Sequence, residues 1–157
     1  MKPSRRYSKD IPCDLYKVDF LFVIGGTVAE AMAELCDSFR VEGEDRARAM
    51  SMVDGASGDA AGRFLHVPNR RCAAVWLKEV PTTPADHGAI AHECLHLVAH
   101  TMAAIGVEWT THGEEGNKWA NDEAFCYLLE YCVTEFAKFA EGVKTLRDRR
   151  AKKKKKR

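Results

Sequence analysis

The stretch "ADHGAIAHECLHLVAH", Ala85–His100, carries the spacing His-Glu-x-x-His inside a run that is typical of a buried helix. Apolar residues surround the motif on both sides: Ile90, Ala91, Leu95, Leu97 and Val98. The pattern predicts a helix over about Ala85–Ile105, with Thr83 or Asp86 near its start and Gly106 as a C-terminal cap. The function that the sequence predicts depends on whether this helix binds a metal ion or only packs in the core.

His92 and His96 are four residues apart, so they lie on one helix face a single turn apart. Two imidazoles at that spacing can converge on one Zn²⁺ ion. Glu93 directly follows His92, which places its carboxylate beside the metal, where it can take a proton from the water that zinc activates. The alternative is a core helix with satisfied histidines. We favour the metal, because a buried glutamate and two buried histidines without partners would be costly.

A catalytic zinc site needs a third protein ligand, and three residues compete for that place. His100 is one turn beyond His96, but a straight helix cannot easily bring three successive turns onto one ion, so we place His100 next to the ligands or at the surface. His112 follows in a loop. Glu123 opens the last predicted helix in "NDEAFCYLLEY" and can reach the metal if that helix packs beside the first.

The rest of the chain predicts a small α+β domain, in which a mostly antiparallel sheet packs on helices. Residues 1–146 form this domain. A strand over about Tyr16–Ile24 ends at Gly25-Gly26, and Thr27 can cap the helix that follows. The later elements are a short helix followed by a loop in "EGEDRARAMSMVDGASGDAAG", a hairpin of Arg63–Val67 and Cys72–Val80, and a final helix from about Asn121 or Asp122.

Composition indicates the cellular compartment in which we expect the protein. The chain has 157 residues and six cysteines, and no two cysteines form a C-x-x-C pair. We read them as free thiols in a reducing compartment. Since neither a signal peptide nor a run of about 20 apolar residues is present, we expect a soluble, cytoplasmic protein without a membrane span.

The last eleven residues, 147–157, are strongly basic. The segment "RDRRAKKKKKR" holds nine Lys/Arg and one Asp, a net charge of +8, whereas the whole chain carries only +1. The remainder is therefore at −7. Blocks of like charge are commonly disordered and can bind nucleic acid or another anionic surface. We expect a disordered tail with that potential partner.

Three pieces of the sequence together resemble a known class of zinc peptidase: "AVWLKEV", "AHECLH" and "NDEAFCYLLEY". They are similar to the ImmA/IrrE-like metallopeptidases and, more closely, to small zincin-like proteins encoded by bacteriophages and prophages. The resemblance implies His92, His96 and Glu123 as zinc ligands and Glu93 as general base. It also implies a peptide or protein substrate and, for a phage protein, the host cytoplasm.

Under the same resemblance, the strand containing Val75, Trp76 and Leu77 would be the sheet edge on which a peptide lies. Tyr127, one turn after Glu123, would donate to the developing oxyanion, unless it only packs between helices. Cys94 lies on the helix face away from both histidines and is read as core. His66 and His87 give no specific signal.

Two other functions remain open from the sequence. The "THG" at His112 resembles the SprT-like proteases, in which a later His-Gly pair supplies the third ligand. A basic tail would suit such a protease, which acts on DNA-bound proteins. The other alternative is a phage-encoded binding or regulatory protein that keeps the zinc but cleaves nothing.

Overall fold

The computed structural model of the chain describes residues 5–11, 13, 16–54, 60–107 and 119–155, with side chains described from residue 124 within the last range. Four strands and four helices follow one another in these ranges. In chain order they are β1 (Tyr7–Ile11), β2 (Asp19–Ile24), α1 (Val28–Ser38), α2 (Gly43–Ser51), β3 (Gly62–His66), β4 (Cys72–Leu77), α3 (Pro84–Ala104) and α4 (Trp119–Lys155). The predicted α+β class is confirmed.

The strands form one sheet in the order β1-β2-β4-β3. The two outer pairs are antiparallel, and the central pair, β2 with β4, is parallel. The prediction that Val75, Trp76 and Leu77 form the sheet edge is therefore wrong. All six residues of β4 are buried, and both of its backbone edges are already paired. Among the described strands, β3 is the edge beside β4.

Helices cover both faces of the sheet. On one face, alternate residues of β2 and β4 such as Leu21 and Trp76 pack against α1 and α2. On the other face, the intervening residues such as Phe22 and Val75 pack against α3 and α4. Side chains alternate between the faces of a strand, so one run of apolar residues supplies both cores.

Both ends of α3 are fixed locally. Thr83 caps its N-terminus and forms a capping box with Asp86, as the Thr83 hydroxyl accepts from the Asp86 N–H at 3.2 Å. Backbone N–H groups of Thr82 and Thr83 lower the pKa of Asp86 to about 2. At the other end Gly106 takes a φ of 78°, and Val107 N–H donates to Met102 C=O in a Schellman motif. The histidines between these ends therefore sit on a well-defined helix.

The last helix, α4, is longer than predicted. Its apolar stripe packs against α3 and the sheet through Phe125, Leu128, Cys132, Phe136, Ala140 and Val143. The helix then continues through the basic segment to Lys155. The prediction of a disordered tail beginning at Arg147 is therefore wrong as far as Lys155. Lysine and arginine are good helix formers, and a helix that is already nucleated extends at little cost.

All six cysteines are free thiols, as predicted. Cys94 is fully buried, and burial, followed by the neighbouring Glu93 charge, raises its pKa to about 12. A thiolate ligand at Cys94 is thus disfavoured. Within the described ranges, none of the helices combines the length and apolar character that a membrane crossing requires.

Candidate metal centre

The candidate site lies where α3 crosses the edge strand β3. The apolar side of α3, which includes Cys94 and Leu97, is buried against the sheet and α4. Glu93 and His96 lie on the side of the helix that contacts Phe64 in β3. The site is therefore built from one helix and one strand edge, and it opens toward solvent.

His92 and His96 point their Nε2 atoms at each other. The two atoms are 3.2 Å apart, and the ring planes are nearly perpendicular at 83°. Two nitrogens bound to a tetrahedral zinc at ordinary Zn–N lengths lie about 3.3 Å apart. The observed distance also suits an N–H···N hydrogen bond between neutral rings. The separation of the two nitrogens is therefore compatible with two ligands of one ion.

Both imidazoles are exposed. Our expectation that they would be buried is wrong, because their face of α3 lies beyond the edge of the sheet and is exposed to solvent. The cost of burying unpaired polar groups therefore gives no argument for a metal at the histidines. What supports a metal is the convergence of the two nitrogens and the position of the adjacent carboxylate.

Glu93 is half-buried and anchored to the sheet edge. One of its carboxylate oxygens accepts a hydrogen bond of 2.6 Å from the Phe64 backbone N–H. Gly62 makes this approach possible, because a Cβ at Gly62 would lie 3.2 Å from Glu93 Cγ and 2.7 Å from Leu77 Cδ2. The strand thus fixes one oxygen of the carboxylate that directly follows His92 in the helix.

A second pair of histidines adjoins the site. His66 of β3 and His100 of α3 have ring centroids 4.8 Å apart, and the Phe64 ring lies beside both of them and beside His96. Burial lowers the pKa of His66. Burial is also the main cause that lowers the pKa of His100, and the nearby His66 adds a smaller effect in the same direction. Both are therefore held in the neutral form at pH 7, and they fix the packing of α3 on β3.

His66 is a residue of the site region that we missed from the sequence. Within β3 it shares a face with Gly62 and Phe64 by simple alternation, but nothing in the sequence shows that this face meets α3. His100 contacts Phe64 and His66, and its role next to the ligands stays a prediction. Among the residues that the structure describes, no group of three or more His, Cys, Asp or Glu side chains is placed to hold a metal ion, so each histidine pair stands without a third ligand there.

Both candidates for the third ligand fall at the margin of the described chain. Glu123 belongs to the first turns of α4, but its side chain is not described, and His112 lies outside the described residues. The helix α4 packs directly against α3, as the Glu123 hypothesis requires. Tyr127, the proposed oxyanion donor, is on the same helix and is 64% exposed, which disfavours a tyrosine buried between helices and leaves its role as donor a prediction.

Comparison with known proteins adds no family to this geometry. No protein-family model matches the chain, and no curated protein or solved structure matches it.

Proposed function

We propose that this protein is a zinc-dependent peptide-bond hydrolase in which His92 and His96 bind the metal through Nε2 and Glu93 is the general base. The observation that carries the proposal is the 3.2 Å approach of the two Nε2 atoms beside an anchored carboxylate. Glu123 is the proposed third ligand, and His112 is the competing one. The proposed setting is the host cytoplasm of a phage- or prophage-encoded protein.

The donor set fits zinc, which binds imidazole nitrogen and carboxylate oxygen and, in catalytic sites, keeps one position open. When bound, zinc would polarise the scissile carbonyl and lower the pKa of water. Glu93 would take the proton of the attacking water with the oxygen that Phe64 leaves free, and then pass it to the leaving amine. The exposure of His92 and His96 leaves room for a substrate.

The proposed docking strand is β3 rather than β4. The Ala61 carbonyl accepts from the Lys78 N–H, and the Val67 N–H donates to the Cys72 carbonyl. Alternation therefore turns the N–H and C=O groups of Gly62, Phe64 and His66 away from β4. An extended peptide can pair by β-augmentation with the outward groups of Gly62 and His66, whereas the Phe64 N–H is already bonded to Glu93. It would then lie alongside Glu93, which is already bonded to the same edge.

A second proposed partner is anionic, namely nucleic acid or another anionic surface at the basic end of α4. This is the observation that keeps the SprT-like alternative open, since such proteases act on DNA-bound proteins. In that alternative His112 replaces Glu123 as third ligand, while His92, His96 and Glu93 keep their roles. A zinc-binding protein without hydrolytic activity is the other alternative.

The variant Glu93→Gln tests the proposed activity. It keeps the shape and one oxygen for the Phe64 N–H but cannot accept a proton, so we expect zinc to be retained and peptide hydrolysis to fall by about 100-fold or more. The assay is cleavage of a fluorogenic peptide library by zinc-loaded protein. Glu141→Gln, a change at an exposed carboxylate on α4, is the matched control.

Three outcomes are informative. Loss of hydrolysis in Glu93→Gln alone supports the proposal. Wild-type hydrolysis by Glu93→Gln would contradict the assigned base. Zinc binding without any cleavage in the wild type would favour the non-catalytic alternative.

A further inference from the structure

The basic end of α4 does not project alone into solvent, because it meets the first strand of the sheet. The Arg147 guanidinium carbon lies 5.6 Å from the centre of the Tyr7 ring, and Arg150 donates to the Tyr7 hydroxyl at 3.5 Å. Tyr7 is half-buried and lies in β1, which is held in register by β2. A cation over an aromatic ring is attracted to it, so the strand orients the start of the basic segment.

This contact creates a groove of about 670 Å³ between β1 and α4. Its lining contains five cationic side chains, and no acidic residue occurs among its described lining residues: Arg5, Tyr7, Arg147, Arg150, Lys153 and Lys154, together with Ala151. One cation comes from the N-terminal segment and four come from α4. The groove is therefore a composite site that neither segment forms alone.

We propose that this groove binds the phosphodiester backbone of nucleic acid, by charge and not by sequence. This deepens the anionic partner proposed above and is independent of peptide hydrolysis. Arg147, Arg150 and Lys154 lie on one face of α4 and span about 10 Å along the helix axis. Over that length one strand of a duplex presents about three phosphates.

Two features favour nucleic acid over a membrane surface. A helix that lies on a membrane needs an apolar face opposite its basic face, and "RDRRAKKKK" offers only Ala151 as an apolar side chain. Residues 1–146 carry a net charge of −7 against a total of +1, so on average the rest of the surface is less attractive to a polyanion than the groove. Within the described residues, the groove gathers five cations on one surface.

The test is binding of the full chain to a labelled mixed-sequence DNA duplex and to an RNA duplex of the same sequence, by fluorescence anisotropy over a series of salt concentrations. Two double variants, each of which removes two positive charges from the same helix, are compared. Arg147→Ala/Arg150→Ala removes two of the five cations that line the groove, whereas Arg149→Ala/Lys152→Ala changes residues that do not line it. Arg5→Ala tests the contribution of the N-terminal segment.

We expect the wild type to bind with an affinity that falls as salt rises. The groove variant should lose about 10-fold or more in affinity and about two units of the log–log salt slope. The matched variant should lose clearly less, and Arg5→Ala should weaken binding although it lies far from α4 in sequence. Comparison of the affinities for the DNA duplex and the RNA duplex shows which backbone the groove prefers.

Equal losses in the two double variants would overturn the composite site, because helix charge alone would then account for binding. Phosphatidylserine vesicles serve as a third probe, and absence of binding to both duplexes, with or without binding to the vesicles, would overturn the assignment to nucleic acid. Glu93→Gln should bind the duplexes like the wild type, so failure of this proposal and failure of the hydrolase proposal give different results.

Discussion

The variant Gly62→Ala tests whether β3 positions the general base. A Cβ at Gly62 would lie 2.7 Å from Leu77 Cδ2, 3.2 Å from Glu93 Cγ and 3.3 Å from the Trp76 carbonyl oxygen. Leu77 is buried and the carbonyl belongs to the central strand, so neither can yield freely. Glu93 is the neighbour that has room to move.

Overpacking of this kind costs about 1–3 kcal/mol. The loss of glycine flexibility in the unfolded chain offsets about 0.4–1 kcal/mol of that cost. We therefore expect Gly62→Ala to lower the free energy of unfolding by about 1–2 kcal/mol, measured by urea denaturation. Displacement of the carboxylate should also reduce peptide hydrolysis by about 10-fold or more, with zinc content unchanged.

The matched control is Gly88→Ala in the exposed first half of α3, where an added Cβ meets nothing within 4 Å. Alanine is a better helix former, so this variant should gain about 0.5–1 kcal/mol and keep its activity. If Gly62→Ala were as stable and as active as the wild type, the close approach of β3 to Glu93 would not control the position of the base.

Two further predictions concern the packing beneath the site. The pKa values of His66 and His100 are lowered from 6.5, so the unfolded chain takes up protons first as the pH falls. The contribution of these histidines to the free energy of unfolding is then fully present above about pH 6.5 and decreases below it. His100→Gln should make that decrease smaller in thermal melts of EDTA-treated protein. His87→Gln, at an exposed position, should leave it unchanged. Phe136 is fully buried with its ring 4.5 Å from that of Phe22, so Phe136→Ala should cost about 3–5 kcal/mol in urea denaturation. A cost as small as that of Phe139→Ala, at a partly buried position, would contradict the assigned core.

Elements with local signals could be predicted from the sequence. Thr27 caps α1 after Gly25-Gly26, as predicted, and forms a capping box with Glu30. The hairpin of β3 and β4 is where the turn residues "PNRR" indicated it. The helix α3 begins after Thr83 and ends before Gly106, as its caps predicted. In each case residues close in sequence decide the structure.

Features that depend on distant pairing could not be predicted in the same way. The strand β1, "YSKDI", has three exposed residues in a row and no alternating pattern, so its identity comes from pairing with β2. The position of β4 in the middle of the sheet had a signal that we did not use. "CAAVWL" is a continuous apolar run, which is typical of a strand covered on both faces.

The candidate site was predicted in part. The spacing of His92, Glu93 and His96 follows from helix geometry alone. The anchoring of Glu93 by Phe64 and the neighbourhood of His66 depend on how α3 crosses β3, which no local pattern specifies. The third ligand, Glu123 or His112, stays a prediction.

The most direct test of the central claim is the metal content of the purified protein by inductively coupled plasma mass spectrometry. Wild type is compared with His92→Ala, Glu123→Ala and His112→Ala. We predict about one zinc per chain in the wild type, its loss in His92→Ala and Glu123→Ala, and its retention in His112→Ala. Loss in His112→Ala instead of Glu123→Ala would transfer the third-ligand role to His112, and a wild type without zinc after reconstitution would contradict the metal site itself.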